Sequence, residues 1–198
     1  MKIIHPNYTK KISTSRKELW DLSKAWAGIT LAFALVLRTT EMSLFTSILV
    51  AAVSVGLGFL FHELAHKILA QRYGCFAEFR SSDMMLLLAV FMAGALGVVI
   101  AAPGAVVISG HLTKNQNGKI SIAGPTTNIV LAIIFLIGFL STGWIVAKYG
   151  AMINAVLAFF NLLPLSIMDV KKVLAWNKQA YIAALTISII LFFVTSII

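Results

Sequence analysis

Met42-Ser43-Leu44-Phe45-Thr46-Ser47-Ile48-Leu49-Val50-Ala51-Ala52-Val53-Ser54-Val55-Gly56-Leu57-Gly58-Phe59-Leu60-Phe61 runs without a charge directly into His62-Glu63-Leu64-Ala65-His66-Lys67. As a helix the uncharged run alone is about 30 Å long, the thickness of a bilayer's hydrocarbon core. It therefore reads as a membrane crossing that carries two histidines and a glutamate at its far end. Residues four apart share one helix face, so the two imidazoles can grip one metal ion while Glu63 projects beside them toward a bound water. A pattern of three fixed positions also arises by chance in soluble helices. At membrane depth, however, ionisable groups are costly to bury and persist mainly when paired, coordinated or functional.

Composition carries the membrane reading to the whole chain. Of 198 residues, 60% are hydrophobic and 12% charged, and the mean hydropathy is +0.94. An ordinary soluble domain has about 25% charged residues, so nearly the whole length reads as membrane domain. The net charge of +9 lies at the edges of apolar segments. There it orients a protein against anionic lipid, and nucleic acid is not an expected partner. The single cysteine, Cys75, excludes an intrachain disulfide and an all-cysteine metal cage. The opening Met-Lys-Ile-Ile-His-Pro lacks the apolar core of a cleavable signal, so the first apolar segment is expected to remain as an anchor.

The order of segments predicts an all-α polytopic membrane protein with five or six transmembrane helices and a re-entrant or hairpin segment after the motif helix. Residues 1–24 form a basic cytosolic arm, and 25–198 a single membrane domain with its core at 42–177. A first helix is expected over about Trp20 to Leu37, and a second from Met42 to about Tyr73 with Gly74 as its stop. Met84 to Ile108 is apolar but interrupted by Gly94, Gly97, Pro103 and Gly104. His111 to Lys119 reads as a turn around Asn117-Gly118, and a helix is expected to begin at Pro125 and reach about Ala147. Segments from Gly150 to Leu165 and from Ala180 to Ile198 complete the set.

Charge and depth agree on a hairpin at Met84 to Ile108, against the alternative of a kinked spanning helix. If that segment enters and leaves on one side, only Arg38 and Lys148 among the residues following the arm face outward, which satisfies the positive-inside rule with a cytosolic amino terminus. The expected location is thus the cell membrane, with the amino terminus in the cytosol. Broken backbone at depth is tolerated where protein shields it or where it faces a cavity.

A catalytic zinc has three protein ligands and an open position for water. Seven acidic residues are available: Glu18, Asp21, Glu41, Glu63, Glu78, Asp83 and Asp169. Asp169 ends an apolar segment at the depth expected for the histidines and is favoured as third ligand, against pairing with Lys171 or Lys172. Glu78 and Asp83, in the polar link after the motif helix, and His111 and His5 remain open if the topology differs. Asn128, in Gly124-Pro125-Thr126-Thr127-Asn128, can donate its amide to a substrate carbonyl or developing oxyanion, or can instead tie helices together.

His62-Glu63-Leu64-Ala65-His66, Gly124-Pro125-Thr126-Thr127-Asn128, and Asn161-Leu162-Leu163-Pro164 leading to Asp169 occur in this order, and together they resemble the site-2 proteases, intramembrane zinc metalloproteases. The resemblance implies that His62, His66 and Asp169 bind one Zn2+ ion, that Glu63 is the general base, and that Asn128 helps hold the substrate strand. The implied partners are a transmembrane-helix protein substrate and membrane lipids, and the implied activity is peptide-bond hydrolysis in or near that helix. Where the family has glycine after its aspartate, this chain has Val170. A catalytically silent membrane receptor or metal transporter on the same scaffold is the alternative. Transport would need ionisable groups strung across the membrane, whereas these candidates converge at one depth.

Overall fold

A computed structural model describes residues 12–38, 42–99, 103–164 and 169–198, with the side chain of Asp169 outside the description. Helix α1 spans Arg16–Leu37. A continuous helical rod follows, made of α2 (Leu44–Ala51), a π-helical turn (Ala52–Gly56) and α3 (Leu57–Arg72). After it come β1 (Phe76–Ser81), α4 (Asp83–Leu96), β2 (Gly104–Ser109), α5 (Lys114–Thr142), α6 (Ile145–Leu162), α7 (Asp169–Trp176) and α8 (Lys178–Ser196). Among the described residues five helices, the rod counted as one, are long and apolar enough to cross a membrane. The protein is an all-α polytopic membrane fold with one small strand pair.

The local sequence explains the boundaries and corrects four expectations. Helix α1 starts at Arg16, four residues before the expected Trp20, because Ser15 caps it, its hydroxyl accepting from Glu18 N at 3.1 Å, so residues 16–24 are helical and continuous with the first span. Helix α5 starts at Lys114, well before Pro125. Thr113 and Gln116 form a reciprocal capping box there, which places Asn117 and Gly118 inside the helix. The break after α5 falls at Gly143, whose φ of +69° suits the left-handed cap, so Lys148 lies within α6. Gly74, with φ of +82°, does end the motif helix as expected.

Met84 to Ile108 folds as an excursion that departs and returns at one place. Strands β1 and β2 pair antiparallel with Ser81 opposite Gly104, and the 14 residues of α4 between them reach only about 21 Å, too short to cross. The strand pair itself was not legible, because Gly-Ala-Val-Val-Ile-Ser merges with the preceding apolar run.

Small residues let the spans approach closely around the site. Ala25, Ile29, Val50, Val55, Phe59, Phe79 and Ile153 form one buried cluster joining α1, the rod, β1 and α6. A second joins α5 to α8 through Ile129, Ala132, Ala155, Leu162, Val170, Val173 and Tyr181. Helix α7 runs antiparallel along α5: Trp176 covers Gly118, while Val170 and Val173 reach the cluster containing Ile129. Outward apolar side chains such as Leu140 and Phe45, each 70% exposed, fit lipid rather than water. Lys148 Nζ donates to the carbonyl of Ile198 at 2.8 Å, placing the start of α6 and the end of α8 on one side, as alternation of spans requires.

Candidate metal centre

His62 and His66 are both buried on the face of α3 that meets α5. Their Nε2 atoms face each other at 3.1 Å. A tetrahedral zinc with Zn–N distances of about 2.0–2.1 Å separates two ligand nitrogens by about 3.3–3.4 Å, so the pair is spaced to share one ion. The opposite nitrogens fix the tautomers. His62 Nδ1 lies 2.5 Å from Asn128 Oδ1, and His66 Nδ1 lies 2.7 Å from the carbonyl oxygen of Ile120. Both partners are acceptors, so both Nδ1 atoms carry hydrogen and both Nε2 atoms present lone pairs toward the same point. Two lone pairs so placed repel unless a cation lies between them, and this orientation by outer hydrogen bonds is the usual support of zinc-binding histidines.

Gly124 makes the room. A Cβ there would lie 2.5 Å from His62 Nε2 and nearer still to His66 Nε2, filling the space the ion needs. The site's histidines, their hydrogen-bond acceptors and the free volume on Gly124 therefore all fit a zinc ion.

Glu63 projects to the other side of His62, where its Oε2 accepts from Val106 N of β2 at 3.2 Å. Both residues border a cavity of about 230 Å3, polar at His62, Glu63 and Asn161 and apolar along Ile29, Phe33, Val55, Phe59 and Leu157. The strand pair explains why β2 can reach Glu63. Phe79 and Val106 are directly opposite, and their N–H groups point outward, to Glu18 Oε1 at 2.9 Å and to Glu63 respectively.

The remaining candidates divide clearly. Among the described residues no third histidine, cysteine, aspartate or glutamate joins the pair in a metal-sized group. Asp169, the favoured third ligand, has its side chain outside the described residues, but its backbone opens α7. With Trp176 over Gly118 and α7 antiparallel to α5, seven residues of helix place Asp169 about 10 Å along α5, level with Gly124. Glu78 pairs with Arg80, and Asp83, 73% exposed, pairs with Lys24 at 2.5 Å. His111 is exposed, while His5 and Glu41 lie outside the described residues.

Asn128 is buried and tied into the helix packing. Its Nδ2 donates to Gly58 O at 3.2 Å and to Asn154 Oδ1 at 3.0 Å, so both amide hydrogens are committed inside the protein and neither is aimed at a substrate oxygen. It positions His62 and ties three helices together.

Two functional features escaped the sequence. Asn154 was passed over within an apolar segment, although a buried amide at membrane depth is itself a signal. Glu18 was set aside with the arm, yet it is fully buried and paired with Lys67 at 2.6 Å. Thr14 accepts a further hydrogen bond from Lys67, at 2.7 Å. That ion pair anchors α1 to the turn of α3 that carries His66.

No family model matches the chain, and no solved structure does. A protein of Methanocaldococcus jannaschii named "putative zinc metalloprotease" is 38% identical over 169 residues, covering 82% of this chain and 86% of the relative. Identity of that extent, over a chain that brings two histidines to one point beside a glutamate, places this protein in the same zinc metalloprotease family.

Proposed function

We propose that the protein is an intramembrane zinc endopeptidase of the site-2 protease kind, hydrolysing a peptide bond in or near the transmembrane helix of a membrane-protein substrate. The observation that carries this reading is the facing pair of Nε2 atoms at 3.1 Å, held in the metal-binding tautomer toward the carboxyl-terminal end of a membrane-length helix. His62, His66 and Asp169 would hold one ion, and zinc bound there would polarise a water and lower its pKa toward about 7. Glu63 would take the proton of the attacking water, and Val106 N–H, donating to its Oε2 at 3.2 Å, helps fix its carboxylate in place. The apolar part of the cavity receives a hydrophobic side chain beside the cleaved bond.

A helical substrate hides its carbonyls in its own hydrogen bonds, so a segment must unwind before attack. The outer edge of β2, where Val106 meets Glu63, offers such a segment backbone partners in place of those it loses. Purified protein in detergent should cleave a single-span reporter, and chelator should stop it. Glu63→Gln should keep its zinc while cleavage disappears. Full activity in that variant would remove Glu63 as base and the reading with it.

A further inference from the structure

Asn154, on α6, touches neither the metal position nor the cavity, yet its hydrogen bonds lead to His62. Its Nδ2 donates to Ser54 O at 3.3 Å and to Gly150 O at 2.9 Å. Both are carbonyls, so the amide cannot be reversed without aiming its oxygen at two acceptors. Its Oδ1 must therefore face Asn128, whose Nδ2 donates to it at 3.0 Å. That bond, with the one from Asn128 Nδ2 to Gly58 O, turns Asn128 Oδ1 toward His62 Nδ1. His62 must then carry its hydrogen on Nδ1 and present a lone pair at Nε2.

The starting carbonyl has a structural origin. Ser54 lies in the π-helical turn Ala52–Gly56, where its carbonyl accepts from Leu57 N–H and offers its second lone pair to Asn154. Asn154 fits closely there because Gly58 lacks a side chain, a Cβ at Gly58 colliding with Asn154 Oδ1. Asn128 and Asn154 are both fully buried, so no water competes to reorient either amide.

From this we infer that Asn154 is a positioning residue for the metal centre: it transmits the polarity of the π-turn carbonyl through Asn128 and so selects the metal-binding tautomer of His62. The inference rests on the zinc reading for its purpose, but not for its test. Metal-free protein labelled with 15N histidine, studied in detergent, reports the His62 tautomer directly, with His62→Ala used for assignment. Wild type should show hydrogen on Nδ1. Asn154→Leu removes one of the two bonds that orient the Asn128 amide, leaving only Gly58 O, and should shift His62 toward hydrogen on Nε2 and weaken zinc by about tenfold in chelator competition, at the low end of the range for outer-shell changes. Asn154→Ala should do the same with less bulk.

Asn154→Asp separates this from a packing role. Its protonated carboxyl would accept from Asn128 and donate to a carbonyl, so tautomer and zinc affinity should both survive. Lost packing would instead make this variant at least as damaging as Asn154→Leu. An unchanged tautomer in Asn154→Leu and Asn154→Ala, or an Asn154→Asp variant impaired as badly as Asn154→Leu, overturns the inference. Failure of the wild type to bind zinc would sink the proposed function instead.

Discussion

Gly124 gives the two imidazoles the space to face each other, and it is where a single methyl group should do most harm. Gly124→Ala places a Cβ against both Nε2 atoms, so zinc per chain should fall toward zero by elemental analysis while helix content by circular dichroism is retained. Retained zinc in that variant would move the ion away from the Nε2 atoms. Lys67 and Glu18 test a different property, the seating of the motif helix. Their side chains are 1% and 0% exposed, and Glu18 also holds Phe79 N. Removing one partner leaves a buried charge uncompensated, so Lys67→Met should destabilise by about 3–5 kcal/mol in denaturant unfolding. A loss under about 1 kcal/mol, the value of a surface pair, would contradict the burial described. At this scale the histidine motif was legible because fixed helical spacing translates directly into a shared face. The value of Gly124, Asn154 and Glu18 was not, since each depends on which distant segment approaches it.

Helix α7 is the element on which the third ligand depends. Trp176 seats against Gly118, and Val170 and Val173 are buried beside α5, so the start of α7 is fixed by packing some distance from any proposed ligand. Gly118→Val should push Trp176 away, displace Asp169 and weaken zinc at least tenfold in chelator competition, although residue 118 binds nothing. Unchanged affinity would argue that α7 does not supply a ligand. Val170, standing where the site-2 proteases that the chain resembles have glycine, is 3% exposed and helps clamp this helix through the cluster shared with α5 and α8. The long helices were readable from hydropathy because lipid demands long apolar runs. Their exact starts were not, and the reasons are local: the Thr113/Gln116 box outweighed the signal of Pro125, and β2 lay hidden within an apolar stretch that has no alternation of its own.

Across the described residues, which hold five apolar helices of membrane-spanning length, the two histidines sit where α3 meets α5, and α1, β2 and α6 line the cavity beside them. Sequence alone conveyed the membrane class, the motif helix and the return of Met84 to Ile108 to its own side, because each follows from charge, length and hydropathy. Assembly of the site was legible only as a matching of depths, and the hydrogen bonds that orient its histidines required the fold. The account rests on one ion held by two imidazoles and a carboxylate. Cys75 offers a competing sulfur, but it is 4% exposed, is packed with Ala70, Ala77 and Ile120, and has its thiol pKa pushed up by burial, which disfavours the metal-binding thiolate. Zinc-edge X-ray absorption on the purified protein tests this most directly. The account predicts two imidazole nitrogens at about 2.0–2.1 Å, further light-atom oxygen ligands and no sulfur, with one imidazole lost in His62→Ala. A sulfur shell at about 2.3 Å, or a spectrum without imidazole scattering, would contradict it.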